Sequence, residues 1–305
     1  MKKIALIVCT KDRPFDLDRL LKSVMRQTRL PDHLIIVDGS DDPIKHVVDK
    51  FDQLSLDYVT VRPPSLPKQR NVGISRIPDD IDWVGFLDDD LELDEDSIEM
   101  IEKSIEDYKG QKELAGLSMI INNIDNVPYS GLRSLFLLDH KNAGRMTLAG
   151  APTYLRQTNE NVEVDWLSGG TTFWSHKVLK EYSYDEWFDG VGYFEDVDFS
   201  YRVSRKYGLL LCGPSKCAHF QHPVSKSKNV PLGVWQITSW WYFIKKTNDF
   251  NPIFTMWGMF YIFVNNVAFG IIKPNSHRFL KALGNLKGFW LILSGQALDR
   301  RTFQK

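Results

Sequence analysis

The sequence predicts an α/β protein: a doubly wound sheet in its first part, followed by a helical, aromatic-rich C-terminal appendage. Two observations predict the sheet. Apolar runs alternate with stretches of helical periodicity from residue 3 to about residue 109, as expected of parallel strands covered by helices on both faces. Three of those runs stop at polar loops that carry aspartates. A third observation predicts the appendage: from residue 228 onward the chain turns basic and rich in tryptophan.

The first run, Lys3 to Cys9, breaks at Thr10-Lys11-Asp12-Arg13-Pro14, so it reads as a buried strand ending in a polar loop. From Asp16 to Gln27, Leu17, Leu20, Leu21, Val24 and Met25 recur at helical spacing. Leu34 to Val37 is a second strand, ending at Asp38-Gly39-Ser40-Asp41-Asp42, and completes a β-α-β unit. Tyr58 to Val61 and Trp83 to Leu87 supply two more strands, and a helix is expected from about Asp94 to Lys109. Pro63 to Pro67, Asn122 to Pro128 and Gln157 to Asn161 read as loops, the last two as acceptor loops. Ligands of doubly wound sheets gather beyond the carboxyl ends of the strands. The loops holding Asp12, Asp38 and Asp88 to Asp90 are therefore expected to converge on one crevice.

The strand Trp83 to Leu87 runs straight into Asp88-Asp89-Asp90. Adjacent unscreened carboxylates repel one another, so a cation is a natural occupant. Hard oxygen ligands favour Mg²⁺ or Mn²⁺, which bridge phosphate oxygens and so point to a phosphorylated substrate. An acidic opening of the following helix explains the same residues without a metal. Glu195, Asp196 and Asp198, set beside Val197, Tyr201 and Val203, admit the same two readings, an acidic helix start or a catalytic pair. Asp38 can accept a hydrogen bond from the imide N–H of uracil or thymine, or it can form the turn before Gly39. Arg70 offers a planar fork for diphosphate or carboxylate.

Taken in order, CTKDRP, VDGSDD, Gln69-Arg70-Asn71-Val72-Gly73-Ile74, FLDDDLEL and GYFEDVDFSYR (Gly192 to Arg202) resemble the motifs of family 2 glycosyltransferases of the GT-A fold, over roughly residues 3 to 246. Val164-Asp165-Trp166-Leu167-Ser168-Gly169-Gly170 is similar to the acceptor-side segment of bacterial sugar transferases in that family, which puts Trp166, Gly169 and Gly170 on the acceptor side. Just beyond it the family often has an arginine, and this chain has Trp174-Ser175-His176. The resemblance implies inverting transfer of a sugar from a nucleotide-diphosphate donor, UDP or dTDP favoured, to a hydroxyl of a surface glycan or polyprenyl-linked acceptor. It implies a nucleotide site of Thr10, Asp12, Arg13, Asp38, Arg70 and Asp89. A divalent metal, Mn²⁺ or Mg²⁺, would be held by Asp88 and Asp90 and completed by His219 in preference to His222. Glu195 and Asp196 would be the catalytic pair, with Asp196 the general base.

With 305 residues, 43% of them hydrophobic, the chain suffices for one large domain plus an appendage. A nucleotide-sugar and catalytic domain is expected over residues 1–227 and a basic helical region over 228–305. The formal charge of −1 conceals an asymmetry, because residues 228–305 carry ten Lys and Arg against two acids, +8, which leaves −9 for the rest. Trp235, Trp240, Trp241, Trp257 and Trp290 fall in that end, and Phe250 to Ile272 holds no charged side chain, although Pro252, Asn265 and Asn266 interrupt it. Flanked by Lys245, Lys246, Lys273 and Arg278, this region fits helices lying at a bilayer surface better than a span, a soluble core or a dimer interface. Three cysteines and no secretory signal suit a reducing compartment, so the expected location is cytoplasmic, peripheral on the inner face of a bacterial cytoplasmic membrane. No nucleic-acid partner is expected.

Cys212, Cys217, His219 and His222 invite a zinc reading, but Cys217 and His219 are too close for a familiar finger. A metal-dependent nucleotidyltransferase would also use an α/β sheet with an acidic site, yet it gives no reason for Glu195-Asp196. A noncatalytic membrane-associated binding protein would explain the basic end and leave the acidic motifs unused.

Overall fold

The computed structural model describes residues 1–189, 192–222 and 225–299, so the last six residues of the basic region lie outside the described residues. The chain divides into two compact units, Met1–Val127 with Leu155–Gln221, and Pro128–Tyr154 with His222–Lys305.

The first unit opens with β1 (Ile4–Thr10), α1 (Pro14–Met25) and β2 (His33–Asp38), the expected β-α-β unit. Helix α1 starts at Pro14, ahead of its apolar periodicity, because a proline in the first turn lacks only an N–H that has no helical partner there. There follow α2 (Lys45–Val48), β3 (Leu56–Thr60), α3 (Leu66–Ile74), β4 (Trp83–Asp88), β5 (Leu91–Leu93), α4 (Ser97–Asp107) and β6 (Leu114–Ile121). After α5 (Gly131–Leu135), which belongs to the second unit, come β7 (Val162–Glu163), β8 (Thr171–Ser175), α6 (His176–Glu181), α7 (Glu195–Ser204) and β9 (Gly208–His219). The nine strands form one mixed sheet in the order β3-β2-β1-β4-β8-β6-β9-β5, with β7 on β9. Strands β1 to β4 are parallel neighbours, and β8 joins β4 antiparallel.

Alternation along β1 explains the layers. Leu6 and Val8 face a core shared with Leu17, Leu20 and Leu21 of α1 and Ile98 and Ile101 of α4. Ala5 and Ile7 face the opposite core, with Tyr184 and with Phe199 and Val203 of α7. A strand buried on both faces must be apolar throughout, which is why its sequence is an unbroken run.

The second unit contains α8 (Asn229–Thr247), α9 (Pro252–Ile272) and α10 (Arg278–Leu293). Helices α8 and α10 meet at their backbones: a methyl group on Gly233 would lie 2.0 Å from the Lys281 carbonyl oxygen, and one on Gly284 2.2 Å from that of Val230. The buried Asn285 donates to the Gly233 carbonyl at 2.8 Å and accepts from Asn266 at 2.9 Å. Pro252 sits in the first turn of α9 and Asn266 turns inward, so neither breaks the helix. Segment 128–154 joins this unit through Thr255, whose hydroxyl donates to the Ala149 carbonyl at 2.8 Å, and through Phe136, stacked on Trp257 at 4.6 Å.

Candidate active site

Sheet register builds the crevice. Thr10 pairs with Asp38 and Cys9 with Asp88, so the carboxyl ends of β2, β1 and β4 lie side by side. Asp12, exposed and at φ 55°, ties two of these ends together. Its N–H donates to Ser40 Oγ at 2.8 Å, and its Oδ1 accepts from the Asp41 N–H at 2.8 Å. Asp38 has no exposed surface. It accepts from the N–H groups of Ser40 at 2.7 Å and Ile44 at 2.9 Å and from the Tyr58 hydroxyl. Burial alone would raise this carboxyl, but the hydrogen bonds hold it below the usual carboxylate range. Both oxygens are engaged inside the protein, and these bonds brace the loop after β2. Gln69, which sequence reasoning did not single out, donates to the carbonyls of Thr10 at 3.1 Å and Val37 at 2.9 Å and ties β1 to β2 at the crevice floor. Its signal in the sequence is its place at the head of the Gln69 to Ile74 motif, beside Arg70.

At the end of β4 the three aspartates have separate surroundings. Asp89 is buried, accepting from the Thr10 hydroxyl at 2.7 Å and from Arg13 Nη1 at 2.9 Å. Burial pushes it up to about 6, with Arg13 opposing. The same guanidinium nitrogen lies 3.1 Å from Asp90 Oδ2. Asp90 Oδ1 faces His219 Nε2 at 2.9 Å without the geometry of a hydrogen bond, so this buried oxygen has no hydrogen-bond partner among the described residues. Against burial, His219 and Arg13 hold Asp90 below the usual range, and Asp90 raises His219. Asp88 keeps 38% of its side chain exposed. It is raised by withdrawal from bulk water, against the pull of Arg70.

Asp88, Asp90 and His219 each offer one ligand atom, all within 4.8 Å of one another. His219 arrives there because β5 pairs with β9, Leu91 opposite His219. Two carboxylates, an imidazole and an unpartnered buried oxygen fit a hard divalent cation. His222 is exposed and outside this group. The cysteines are outside it too: Cys212 Sγ lies 3.1 Å from Ser104 Oγ, and both Cys212 and Cys217 are buried.

The second half of the site comes from α3, the segment before β8, and the first turn of α7. Phe194, at φ 77°, turns the chain into α7 and sets Glu195 and Asp196 at its N-terminus. Arg70 of α3 is 3% exposed, donates to Glu195, and reaches to 3.8 Å from Asp88. Burial raises Glu195 against the pull of Arg70, and the carboxylates around Arg70 keep the guanidinium charged. Asp196 accepts from the N–H groups of Gly169 at 3.1 Å and Val197 at 2.8 Å. It is nevertheless raised by burial.

Gly169 and Gly170 sit between the two carboxylate groups. The Gly170 carbonyl accepts from the Asp88 N–H at 2.9 Å. A methyl group on Gly170 would fall 2.0 Å from Asp88 Oδ2, and one on Gly169 2.7 Å from Arg70 Nη1, so only glycine lets these side chains close on the segment. Trp166, in the same segment, is half-buried. Where an arginine was noted as missing, Trp174 packs edge-on against Phe199 at 4.9 Å, and His176 Nδ1 lies 2.9 Å from the Ile81 carbonyl.

A mixed sheet with a carboxylate crevice beyond its strand ends, bordered by the Glu195-Asp196 turn, is the architecture of the GT-A fold. Residues 5–182 match the model of glycosyl transferase family 2, and the chain belongs to that family. Among solved structures the chain is similar to GalNAc-T7 with UDP, GalNAc and Mn2+, at a TM-score of 0.58 and 14% identity over 89% of this chain and 57% of that one. It is similar to S. aureus TarS 1-349 in complex with UDP-GlcNAc at a TM-score of 0.49 and 16% identity, over 79% of this chain and 66% of that one. The chain thus spans less than two thirds of either protein's length. No curated protein matches the sequence.

Proposed function

We propose that this glycosyltransferase moves a sugar from a nucleotide-diphosphate donor, UDP or dTDP, to a hydroxyl of a glycan or polyprenyl-linked acceptor, with inversion at the anomeric carbon. The observation that carries this reading is the Gly169–Gly170 segment, hydrogen-bonded to Asp196 on one side and to the Asp88 backbone on the other. One short stretch of backbone therefore couples the candidate metal carboxylates to the candidate base.

Asp88, Asp90 and His219 would hold Mn²⁺ or Mg²⁺. When bound, the ion supplies neutralising charge for the departing nucleoside diphosphate. Thr10, Asp12, Arg13 and Asp89 line the loop beside the metal residues and would orient the nucleotide. Asp38, through its three hydrogen bonds, shapes that loop. Asp196 takes the acceptor proton as the acceptor oxygen attacks C1, and the C1–O bond to the diphosphate breaks with its electron pair leaving on the diphosphate. The burial that raises Asp196 strengthens it as a proton acceptor, and the two N–H groups fix its direction. Glu195 holds Arg70 in place, and Arg70 offsets the carboxylates around it at the border of the nucleotide site. The loops 122–128 and 157–161, with Trp166, would face the acceptor.

The test is mass-spectrometric product analysis over a panel of nucleotide sugars and lipid-linked acceptors, with the anomeric configuration read by NMR. Transfer with inverted configuration from a UDP or dTDP sugar is expected. Retained configuration would remove the single-displacement role of Asp196, and a nucleotidylated product would remove sugar transfer altogether.

A further inference from the structure

The second unit carries an apolar surface with nothing over it in the described chain. Helix α9 buries one face through Thr255, Gly258, Met259, Asn266 and Gly270. Its opposite face exposes Ile253 (75%), Trp257 (45%), Phe260 (49%), Val264 (42%) and Ile271 (69%), a helical stripe running the length of α9, about 31 Å at 1.5 Å per residue. The surface continues onto α5, where Leu132 and Leu135 are 60% and 67% exposed and the Leu135 carbonyl accepts from Trp257 Nε1 at 3.1 Å. Helix α10 also exposes Leu286, Trp290 and Leu293, at 50%, 57% and 84%. Scattered exposed apolar residues are normal, whereas a helix-long stripe that runs onto a neighbouring helix, as from α9 to α5, marks an interaction site.

Charge identifies the occupant. The second unit holds 14 basic against 3 acidic residues, a formal charge of +11. Of the three acids, Asp139 is buried, which leaves Asp249 and Asp299. Lys273 and Lys287 are exposed on α10 and the turn before it, and Arg278 lies over the ring of Phe269 at 4.8 Å. We propose that this face docks on an anionic lipid bilayer, with α9 lying in the interface. Aromatic and aliphatic side chains enter the acyl boundary while the basic groups meet lipid phosphates.

Two alternatives fit less well. Helix α9 has the length and composition to cross a membrane. Yet its inner face is committed to the unit through the Asn266–Asn285 hydrogen bond and the close contact of Gly270 with Phe279, which leaves one side for lipid. In a two-fold contact between copies the same surface appears on both sides. That would set Lys273, Arg278 and Lys287 against their counterparts with few acids to offset them. The inference rests on the second unit alone, so it stands or falls separately from the sugar-transfer reading.

Flotation of the full chain with vesicles of phosphatidylcholine and phosphatidylglycerol, and with phosphatidylcholine alone, tests it. Binding at least about tenfold tighter to the anionic vesicles is expected, weakening in high salt, with a blue shift of tryptophan fluorescence from Trp257 and Trp290. The pair Phe260→Ser and Ile271→Ser, and separately the pair Lys273→Glu and Lys287→Glu, should each weaken binding about tenfold or more, with the circular dichroism spectrum unchanged. The fluorescence shift of the unaltered chain reports docking even where a variant folds poorly. Alkaline carbonate should release the chain from membranes of an expressing cell. No flotation and no blue shift, or binding that neither pair alters, overturns the proposal. Resistance to carbonate replaces it with a span, and a concentration-dependent dimer that Phe260→Ser dissolves replaces it with an interface between copies.

Discussion

The two units handle buried polar groups in opposite ways. In the first, Asp88, Asp89, Asp90, Glu195 and Asp196 are gathered around two guanidiniums, those of Arg13 and Arg70, and the buried oxygens Asp90 Oδ1 and Glu195 Oε2 have no hydrogen-bond partner among the described residues. In the second, the polar cluster is uncharged and closed on itself: Asn266 donates to Asn285, and Asn285 donates to the Gly233 carbonyl and to Gln236. Surplus negative charge costs stability unless something arrives to share it, whereas a satisfied amide network fixes the packing of helices. The difference teaches that substitutions in the first cluster should change rate more than stability. In the second unit the order should reverse.

The largest expected effect tests the first half of that contrast. Asp196→Asn keeps the side chain's size but removes its capacity to take a proton, so kcat should fall about 10² to 10⁴-fold with donor affinity little changed. Isothermal titration of donor beside single-turnover kinetics separates the two. Lost donor affinity with an undiminished chemical step would move Asp196 into the nucleotide site.

Asp90→Asn comes next. It removes one carboxylate from the group of three candidate ligands, so turnover should drop about 10² to 10³-fold. A chelator should bring the unaltered enzyme to a similar level, and the melting temperature of the variant should stay close to that of the parent. Activity that survives both treatments would show that no metal acts through this site.

Gly170→Ala is a finer probe. The added methyl group would fall 2.0 Å from Asp88 Oδ2, so the carboxylate must rotate away. Disturbing the support of a ligand typically costs about 10 to 100-fold in metal affinity or activity, and the Mn²⁺ dependence of turnover should shift by that amount. An unchanged metal dependence would detach the glycine segment from Asp88. The counterpart in the second unit is Gly284→Ala, where the methyl group would meet the Val230 carbonyl at 2.2 Å and force α8 and α10 apart. That should cost about 1 to 3 kcal/mol of stability, read by denaturant unfolding, with kcat per folded molecule unchanged. A rate loss without a stability loss would break the contrast between the units.

What the sequence reveals of this fold follows from whether the forces are local. The parallel strands β1, β2 and β4 are legible because burial on both faces demands continuous apolar runs, and α1 and α4 because one face repeats. Strand β9 hides behind Pro214 and Lys216, and its register with β6 shifts between Met119 and Ile120. Its polar residues are tolerated because of partners distant in sequence, such as Asn159, which meets Lys216 at 2.9 Å. Segment 128–154 carries no sign of belonging with α9, since the bond from Thr255 to Ala149 spans 106 residues. In the site, the carboxylates are legible as runs. Their braces are not, because Gln69, Ser40 and Tyr58 act through side-chain bonds that only the sheet register brings within reach.

The smallest expected effect concerns one of those braces. Asp38 is held below the usual carboxylate range because hydrogen bonds from Ser40, Tyr58 and Ile44 outweigh its burial. A carboxylate with a depressed native value stabilises the fold fully above its unfolded value of about 3.9, and that contribution is lost as pH falls through the native value. Tyr58→Phe removes one of the three donors, so the native value should rise towards the unfolded one, and the variant should begin to lose stability at a higher pH than its parent. At neutral pH the missing bond should cost about 1 kcal/mol. Thermal melts from pH 7 to pH 3 read both quantities. A parent and variant that melt alike across that range, but differ in donor KM, would free Asp38 from its bracing role. They would restore it as a residue that meets the nucleotide.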